Sequence, residues 1–197
     1  MQNITVNPAL PGSLPLTSSD LKYTAVDHQI RTLRLYMRPV NESDLNDFIA
    51  IFSDPAVVGF IGIEAGAIPG AQEIEQLLNG AVNAWVTRGY GRWSMFDCKT
   101  DEFIGFCGFR SELGVPELIC MLHERFWGQG IAAEAATACI DYGCQSLGFT
   151  TVKAYTRPAH SRARRVLEKL DAEFTGYTNF HGVSGASYTL VQKSTDF

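Results

Sequence analysis

Residues 127–136 of the chain are Trp-Gly-Gln-Gly-Ile-Ala-Ala-Glu-Ala-Ala, two glycines followed at once by a run of small, helix-forming residues. Gly128 and Gly130 remove side chains where the backbone has to come close to another group. The helix predicted over residues 130–147 would present its unpaired N–H groups and the positive end of its dipole at this turn. A helix start of this kind predicts a binding site for a pyrophosphate.

The glycine motif alone leaves alternatives open, because Gly-x-Gly-x-Ala is also common at tight strand-to-helix turns that bind no ligand. It is not a G-x-x-x-x-G-K-[ST] phosphate loop, because no lysine follows. Nor is it a G-x-G-x-x-G dinucleotide fingerprint, because Ala133 stands where the third glycine would be. A nucleotide-binding protein of another fold remains an alternative, and ATP or NAD would stabilise such a protein.

The sequence on both sides of the turn predicts one α/β domain with a mixed sheet. In residues 32–38, Leu33, Leu35 and Met37 alternate with larger polar residues, which is typical of a half-buried strand. Helices are predicted at residues 42–52, 71–88, 130–147 and 161–170, and a loop at residues 59–70. Further strands are predicted at residues 92–96, 103–109, 115–122, 151–156, 173–180 and 187–193, the last two around a turn at residues 182–185.

Composition limits the class of protein. The 197 residues suffice for about one ordinary domain, and 46% hydrophobic with 19% charged residues is typical of a globular chain. The net charge of −5, without a long basic run, disfavours nucleic acid and membrane as main partners. Five cysteines without a C-x-x-C pair indicate reduced thiols and no metal site. No signal peptide is recognisable, which indicates a cytoplasmic location.

Two segments flank or interrupt this pattern. Residues 1–29 are rich in proline, serine and threonine and predict an N-terminal arm, packed on the domain at residues 30–197 or on a partner subunit. A homodimer is therefore an expected assembly. Residues 157–169 hold the densest group of basic side chains, typical either of a solvated helix face or of a patch that contacts a phosphorylated ligand. In the second case we expect Arg164 to contact that ligand.

Residues 117–122, Glu-Leu-Ile-Cys-Met-Leu, followed by Phe-Trp-Gly-Gln-Gly-Ile-Ala-Ala-Glu-Ala at residues 126–135, resemble the acetyl-coenzyme A motif of the GNAT N-acetyltransferases. The sequence is most similar to the RimJ/RimL-like branch, which acetylates N-terminal amines of ribosomal proteins and also includes acetylators of small molecules. The resemblance extends, in order, to residues 33–39, 89–94, 104–108 and 165–170. It covers about residues 30–180.

The resemblance implies the GNAT fold, a mixed, mostly antiparallel twisted sheet with splayed central strands and flanking helices. The splayed strands would be those at residues 115–122 and 151–156. Acetyl-coenzyme A is the implied co-substrate, with its pantetheine arm along the backbone of Cys120, Met121 and Leu122. The pyrophosphate would lie on the turn formed by Trp127, Gly128, Gln129, Gly130, Ile131, Ala132 and Ala133.

Acetyl transfer to an amine needs a group that removes a proton, because a free alkylamine titrates near ~10.4. Glu117 matches the family's glutamate at the start of the fourth strand and is the expected base, acting directly or through a water. The alternative is that Glu117 is an edge or solvent-facing strand residue. A backbone N–H of the splayed strand could stabilise the developing oxyanion.

The chain departs from the RimJ/RimL-like pattern after the fifth strand. That branch often has an Asn there and, three residues later, a Ser that assists the leaving thiolate, whereas this chain has His160 and Ala163. His160 is expected to contact the cofactor, with a surface histidine as the alternative. Ser161 is the candidate partner of the thiolate, and a helix N-cap is its alternative role.

The function implied by the resemblance is transfer of acetyl from acetyl-coenzyme A to a primary amine. The acceptor would be the N-terminal amine of a protein such as a ribosomal protein, or a small-molecule amine. The absence of a Ser at position 163 keeps a second hypothesis open, an acyl-coenzyme A-binding regulatory module with little turnover. A transferase that uses another acyl donor is the third.

Overall fold

The computed structural model describes residues 22–24, 28–60, 68–111, 114–180 and 183–191. The helices are α1 Leu45–Phe52, α2 Pro55–Val58, α3 Ala71–Arg88, α4 Ile131–Leu147 and α5 Ser161–Lys169. The strands are β1 Lys22–Thr24, β2 Gln29–Arg31, β3 Leu35–Pro39, β4 Arg92–Asp97, β5 Phe103–Ser111, β6 Pro116–Leu122, β7 Thr151–Thr156, β8 Glu173–Phe180 and β9 Val183–Val191.

The nine strands described form one sheet in the order β1-β2-β3-β4-β5-β6-β7-β9-β8. Neighbouring strands are antiparallel except β6 and β7, which are parallel. The crossover between these two parallel strands contains α4, as the geometry of parallel pairs requires. The predicted mixed, mostly antiparallel sheet with flanking helices is therefore confirmed. None of the described helices combines the length and the apolar composition needed to span a membrane.

Alternating residues of the central strands build a core on each face of the sheet. On one face, Phe106 of β5 stacks on Phe48 of α1 at a ring-centroid distance of 4.8 Å. On the other face, Cys107 and Phe109 of the same strand contact the small buried residues of α4. Because side chains alternate along a strand, β5 holds the α1–α3 layer and the α4 layer on opposite sides.

Local signals explain where the helices begin and end. Pro55 is the first residue of α2, and the Asp54 side chain accepts a hydrogen bond from the Ala56 N–H. Helix α3 ends at Gly89, whose φ of +72° is a conformation that glycine adopts without steric cost. The buried face of α3 is Ile74, Leu78 and Ala81, whereas Leu77 and Val86 are exposed.

Several boundaries differ from prediction. Strand β3 begins at Leu35, and Leu33, predicted to be buried, is 67% exposed. Two short strands, β1 and β2, and helix α2 were not predicted, and β1 brings part of the predicted arm into the sheet. Strand β9 starts at Val183, so Gly185 lies in a strand and not in a turn. Residues 61–67 of the predicted loop, and residues 1–21 and 25–27 of the arm, lie outside the described residues.

Candidate functional site

Strands β6 and β7 separate after a short stretch of pairing. Their parallel ladder contains two pairs, Glu117 with Lys153 and Leu118 with Ala154. Strand β6 nevertheless continues to Leu122 and β7 to Thr156. The centre of the sheet is therefore split, as the resemblance implied, and the split opens toward the start of α4.

The register of β6 decides which backbone groups face this split. The His123 N–H donates to the Ile104 carbonyl at 3.0 Å, and every second residue of β6 is bonded to β5 in the same way. The polar backbone groups of Cys120 and Leu122 consequently point toward β7. The Leu122 carbonyl accepts a hydrogen bond from the indole Nε1 of Trp127 at 3.0 Å. The Cys120 N–H and carbonyl and the Leu122 N–H are left facing the split.

The glycine turn leads directly into α4. φ is +77° at Gly128 and +78° at Gly130, so both positions favour glycine. Gly130 occupies the N-cap position and no side chain caps the helix. The first intrahelical bond is donated by the Glu134 N–H to the Gly130 carbonyl at 3.1 Å. The amides of residues 131–133 thus have no partner within the helix, which is the donor arrangement a pyrophosphate needs.

The turn is fixed to the segment just before β3 by an ion pair that was not predicted. Glu134 is buried, and its carboxylate accepts hydrogen bonds from the Thr32 hydroxyl at 2.5 Å and from the Arg34 Nε at 2.6 Å. The Arg34 backbone N–H donates to the same carboxylate at 3.1 Å. Arg34 also donates from Nη1 to the Gln129 carbonyl at 2.8 Å. The sequence contains a signal for such a contact, since Glu134 is the one acid within an alanine run at the start of a helix.

A cavity of about 730 Å³ joins the split to the glycine turn. Its volume lies in the range of small-molecule and cofactor sites, about 300–1,000 Å³. Most of the residues expected to bind a cofactor line it. These are Cys120, Met121, Leu122, Trp127, Gly128, Gly130, Ile131, Ala132, Ala133 and His160, and the expected base Glu117 lines it as well.

Three expected site residues do not line the cavity. Gln129 is exposed, and its side chain donates to the Arg125 carbonyl at 2.8 Å. Arg164 donates from Nε to the Tyr188 hydroxyl at 3.0 Å, which turns it toward β9. Ser161 is exposed on the first turn of α5 and is not the N-cap, a position held by His160. The geometry therefore does not support contacts of these three side chains with a ligand in the cavity.

Other basic residues of the predicted patch do line the cavity, namely Arg157, Arg162, Arg165 and Lys169. The guanidinium of Arg162 lies 5.1 Å from the centroid of the Trp127 ring, in the geometry of a cation–π contact. These residues replace Arg164 as the candidates to contact a phosphorylated ligand. Sequence spacing alone did not reveal which side of α5 faces the cavity.

His160 lies at the edge of the cavity and is not a freely solvated surface residue. Its ring stacks on Phe60 at a centroid distance of 3.9 Å, and Nδ1 is 3.4 Å from the Thr156 hydroxyl. Burial lowers the pKa of His160 below its ordinary value, and the nearby Arg162 lowers it further. At neutral pH the imidazole is therefore uncharged and has one donor and one acceptor nitrogen.

Glu117 is buried at 5% exposure on a strand with neighbours on both sides, so the alternative of an edge or solvent-facing residue is wrong. The Nη2 of Arg110 bonds its Oε1 at 2.7 Å. Arg92 of β4 lines the same part of the cavity, with its guanidinium 5.6 Å from the centroid of Phe106. Burial lowers the pKa of Arg92 to about 10, with Arg110 acting in the same direction and Glu117 opposing. Arg92 is still cationic at neutral pH.

The thiols are unpaired, as expected, but not all are buried. Cys107 and Cys139 are buried, whereas Cys98 and Cys120 are exposed. Cys120 is accessible because it lies in the split, opposite Cys107 in the ladder between β5 and β6. A hydrogen bond with Cys107 is the largest cause that raises the pKa of Cys120 well above its ordinary value. Cys120 is therefore a neutral thiol in the cavity wall.

Replacement of Gly130 by alanine is expected to weaken binding of coenzyme A, the ligand that the sequence resemblance implies, about five- to tenfold. A Cβ at this φ of +78° is sterically strained, by about 1–2 kcal/mol, and relief of the strain would rotate the amides of the turn. Gly148 at the other end of α4 has a similar φ of +69° and open space around it, and is the matched control. Gly148→Ala should lower the melting temperature similarly but leave the dissociation constant in calorimetry unchanged. Equal dissociation constants for both variants would contradict a role of the Gly130 backbone in binding.

Among the described residues, no group of three or more His, Cys, Asp or Glu side chains is arranged to hold a metal ion. The donors that the cavity offers are backbone amides, guanidinium groups and an apolar wall. These groups fit a ligand with a phosphorylated end and an extended, amide-bearing arm. Coenzyme A has this chemistry, and the residues present therefore fit it.

Comparison with known proteins agrees with this geometry. The family model described as "Acetyltransferase (GNAT) domain" matches residues 34–173. The N-acetyltransferase p20 of Bacillus licheniformis, itself uncharacterised, is 30% identical over 149 residues, which cover 74% of this chain and 82% of that protein.

Solved structures show the same fold at lower identity. An acetyltransferase from Agrobacterium tumefaciens superposes with a TM-score of 0.74 at 22% identity, over 94% of this chain and 99% of that one. RimL, a ribosomal L7/L12 α-N-protein acetyltransferase in complex with coenzyme A, superposes with a TM-score of 0.70 at 16% identity, over 81% of this chain and 95% of that one.

Proposed function

The chain belongs to the acetyltransferase (GNAT) domain family and is an N-acetyltransferase, and from that premise we propose that it transfers acetyl from acetyl-coenzyme A to a primary amine. The acceptor in this proposal is the N-terminal amine of a protein or a small-molecule amine. The observation that carries the proposal is one cavity that joins the split between β6 and β7 to the uncapped start of α4. The ribosomal-protein acetyltransferase named among the similar structures supports placement in the RimJ/RimL-like branch.

In this proposal the pyrophosphate is held by the amides between Gly128 and Ala133. The Cys120 N–H and carbonyl and the Leu122 N–H hold the pantetheine amides, because they face the split without a strand partner there. Arg162 and Arg165 add positive charge from α5. His160 contributes a neutral hydrogen-bonding ring where the family has an Asn.

Bound acetyl-coenzyme A would supply the thioester that reacts. Glu117 accepts the proton of the acceptor amine, directly or through a water, since Arg110 hydrogen-bonds only Oε1 of its two carboxylate oxygens among the described contacts. A backbone N–H of β6 that faces the split stabilises the negative charge developing on the carbonyl oxygen. Tyr155 and Thr156 line the cavity where β7 leaves β6, and their hydroxyls replace Ser161 as candidate donors to the leaving thiolate.

A binding measurement and a transfer measurement together test the proposal. Calorimetry should show one coenzyme A site per chain, and ATP and NAD should not compete for it. Thiol release from acetyl-coenzyme A should then depend on an added amine, in a panel of N-terminal peptides and small amines, with the acetylated product identified by mass spectrometry. Succinyl-coenzyme A run in parallel tests another acyl donor. Coenzyme A binding without transfer to any amine would support the regulatory module instead.

A further inference from the structure

Three charged side chains from three neighbouring strands lie together where the cavity meets the α1–α3 face of the sheet. They are Arg92 of β4, Arg110 of β5 and Glu117 of β6, and all three line the cavity. The register places them on one face, because Arg92 is opposite Gly108, two residues before Arg110, and Arg110 is opposite Glu117. The group therefore brings two guanidinium groups and one carboxylate to one wall of the cavity.

The two arginines differ in what they contact. Arg110 forms the ion pair with Glu117 at 2.7 Å. Among the described residues no carboxylate lies within ion-pair distance of Arg92, whose guanidinium contacts the face of the Phe106 ring. Partial burial of a cation that no described carboxylate contacts is unfavourable unless another group compensates. An anionic ligand group in the cavity would provide that compensation.

We propose that Arg92 binds a carboxylate of the acceptor, so that the preferred acceptors are small amines that also bear a carboxylate, as amino acids do. This inference rests on the proposed acetyl transfer and names its substrate class. The planar guanidinium can bind a carboxylate through two parallel N–H bonds, which fixes its orientation as well as its position. Glu117 lies two strands away on the same face, so the anion site and the base line the same cavity. An amino carboxylate carries at its two ends the groups that these two residues would bind.

The test compares matched pairs of acceptors. Glycine, β-alanine and γ-aminobutyrate are each assayed beside their own amide, by thiol release from acetyl-coenzyme A. For the pair of best-fitting length, the carboxylate should have a kcat/KM about tenfold or more above that of the amide, through a lower KM. Arg92→Gln should abolish this ratio. The amines of a pair differ in basicity, but that difference cancels when the ratio for the variant is compared with the ratio for the parent.

Controls separate binding from folding. Arg88→Gln changes an exposed arginine at the end of α3 and should keep the parent ratio. Arg92→Lys keeps the positive charge but lacks the planar guanidinium group, and should retain part of the preference for carboxylates. Melting temperature and the coenzyme A dissociation constant are measured for each variant. An Arg92→Gln protein that is folded and loses activity equally on carboxylates and amides would overturn the inference, because that is the signature of a structural role.

The outcomes also separate this inference from the proposed function. Transfer to peptides or amides without any preference for carboxylates overturns the inference and leaves acetyl transfer intact. Coenzyme A binding without transfer to any amine overturns both. Transfer confined to the carboxylate member of a pair, and lost in Arg92→Gln, supports both.

Discussion

Replacement of Glu134 by alanine is expected to lower the free energy of unfolding by about 2–3 kcal/mol and to weaken coenzyme A binding at least tenfold. The buried carboxylate holds Thr32 and Arg34, and its loss leaves their donors without an acceptor. Breaking a fully buried ion pair costs about 3–5 kcal/mol. The loss of stability expected here is smaller, because Arg34 is 41% exposed and water would solvate it in the variant. Thermal melting and calorimetry with coenzyme A measure the two effects.

The binding loss follows from the second contact of Arg34. Its Nη1 holds the Gln129 carbonyl, between the two glycines of the turn, and Glu134 is the one carboxylate among the described residues that pairs with the guanidinium. Asp141→Asn is the matched control on the same helix, since burial raises the pKa of Asp141 and no hydrogen bond to its side chain is present among the described residues. Its melting temperature should be unchanged or higher. Wild-type affinity in a folded Glu134→Ala protein would contradict the proposed link between Arg34 and the turn.

The sequence predicted those parts of the site that depend on local pattern. Two glycines before an alanine-rich helix are a local signal, and the structure has the left-handed glycines and the uncapped helix start that it implied. The strand before the turn was likewise predicted from a local sequence pattern. These features follow from residues within about one strand and one helix of each other, where steric preference and periodicity decide the conformation.

The split between β6 and β7 was expected only from the family resemblance. The pairs Glu117 with Lys153 and Leu118 with Ala154 join residues 36 positions apart in the chain. No local pattern specifies where such a ladder ends, because register is set by the packing of both faces. The contact of Arg34 with Glu134 spans 100 positions and was missed for the same reason.

The errors at α5 concern the rotation of a helix that was itself correctly predicted. Ser161, Arg162, Arg164 and Arg165 lie within about one turn and a half, and each is polar, so composition does not say which side is inside. Packing of Leu167 against the core makes that choice. It turns Arg162 and Arg165 toward the cavity and Arg164 toward Tyr188.

Replacement of Glu117 by glutamine is expected to lower kcat about 10²- to 10³-fold, with little change in coenzyme A binding. Glutamine keeps the shape and one oxygen for Arg110 but cannot accept a proton, and general base catalysis typically contributes about 10²–10⁴-fold. The measurement is kcat against pH for an amine that the parent enzyme acetylates. The loss should be greatest for strongly basic amines and small for amines already neutral at the assay pH, because those need no base.

The dependence of the rate loss on the basicity of the amine distinguishes a catalytic role of Glu117 from a structural one. If Glu117 only neutralised Arg110, its replacement would lower the melting temperature and reduce activity equally for all amines. Glu117→Asp, which keeps the carboxylate on a shorter side chain, should recover part of the rate for basic amines. Glu75→Gln, an exposed position on α3, is the matched control and should behave as the parent. A Glu117→Gln protein with the parent rate and pH profile would exclude Glu117 as the base. The reaction would then depend on removal of water from the amine by the apolar cavity wall.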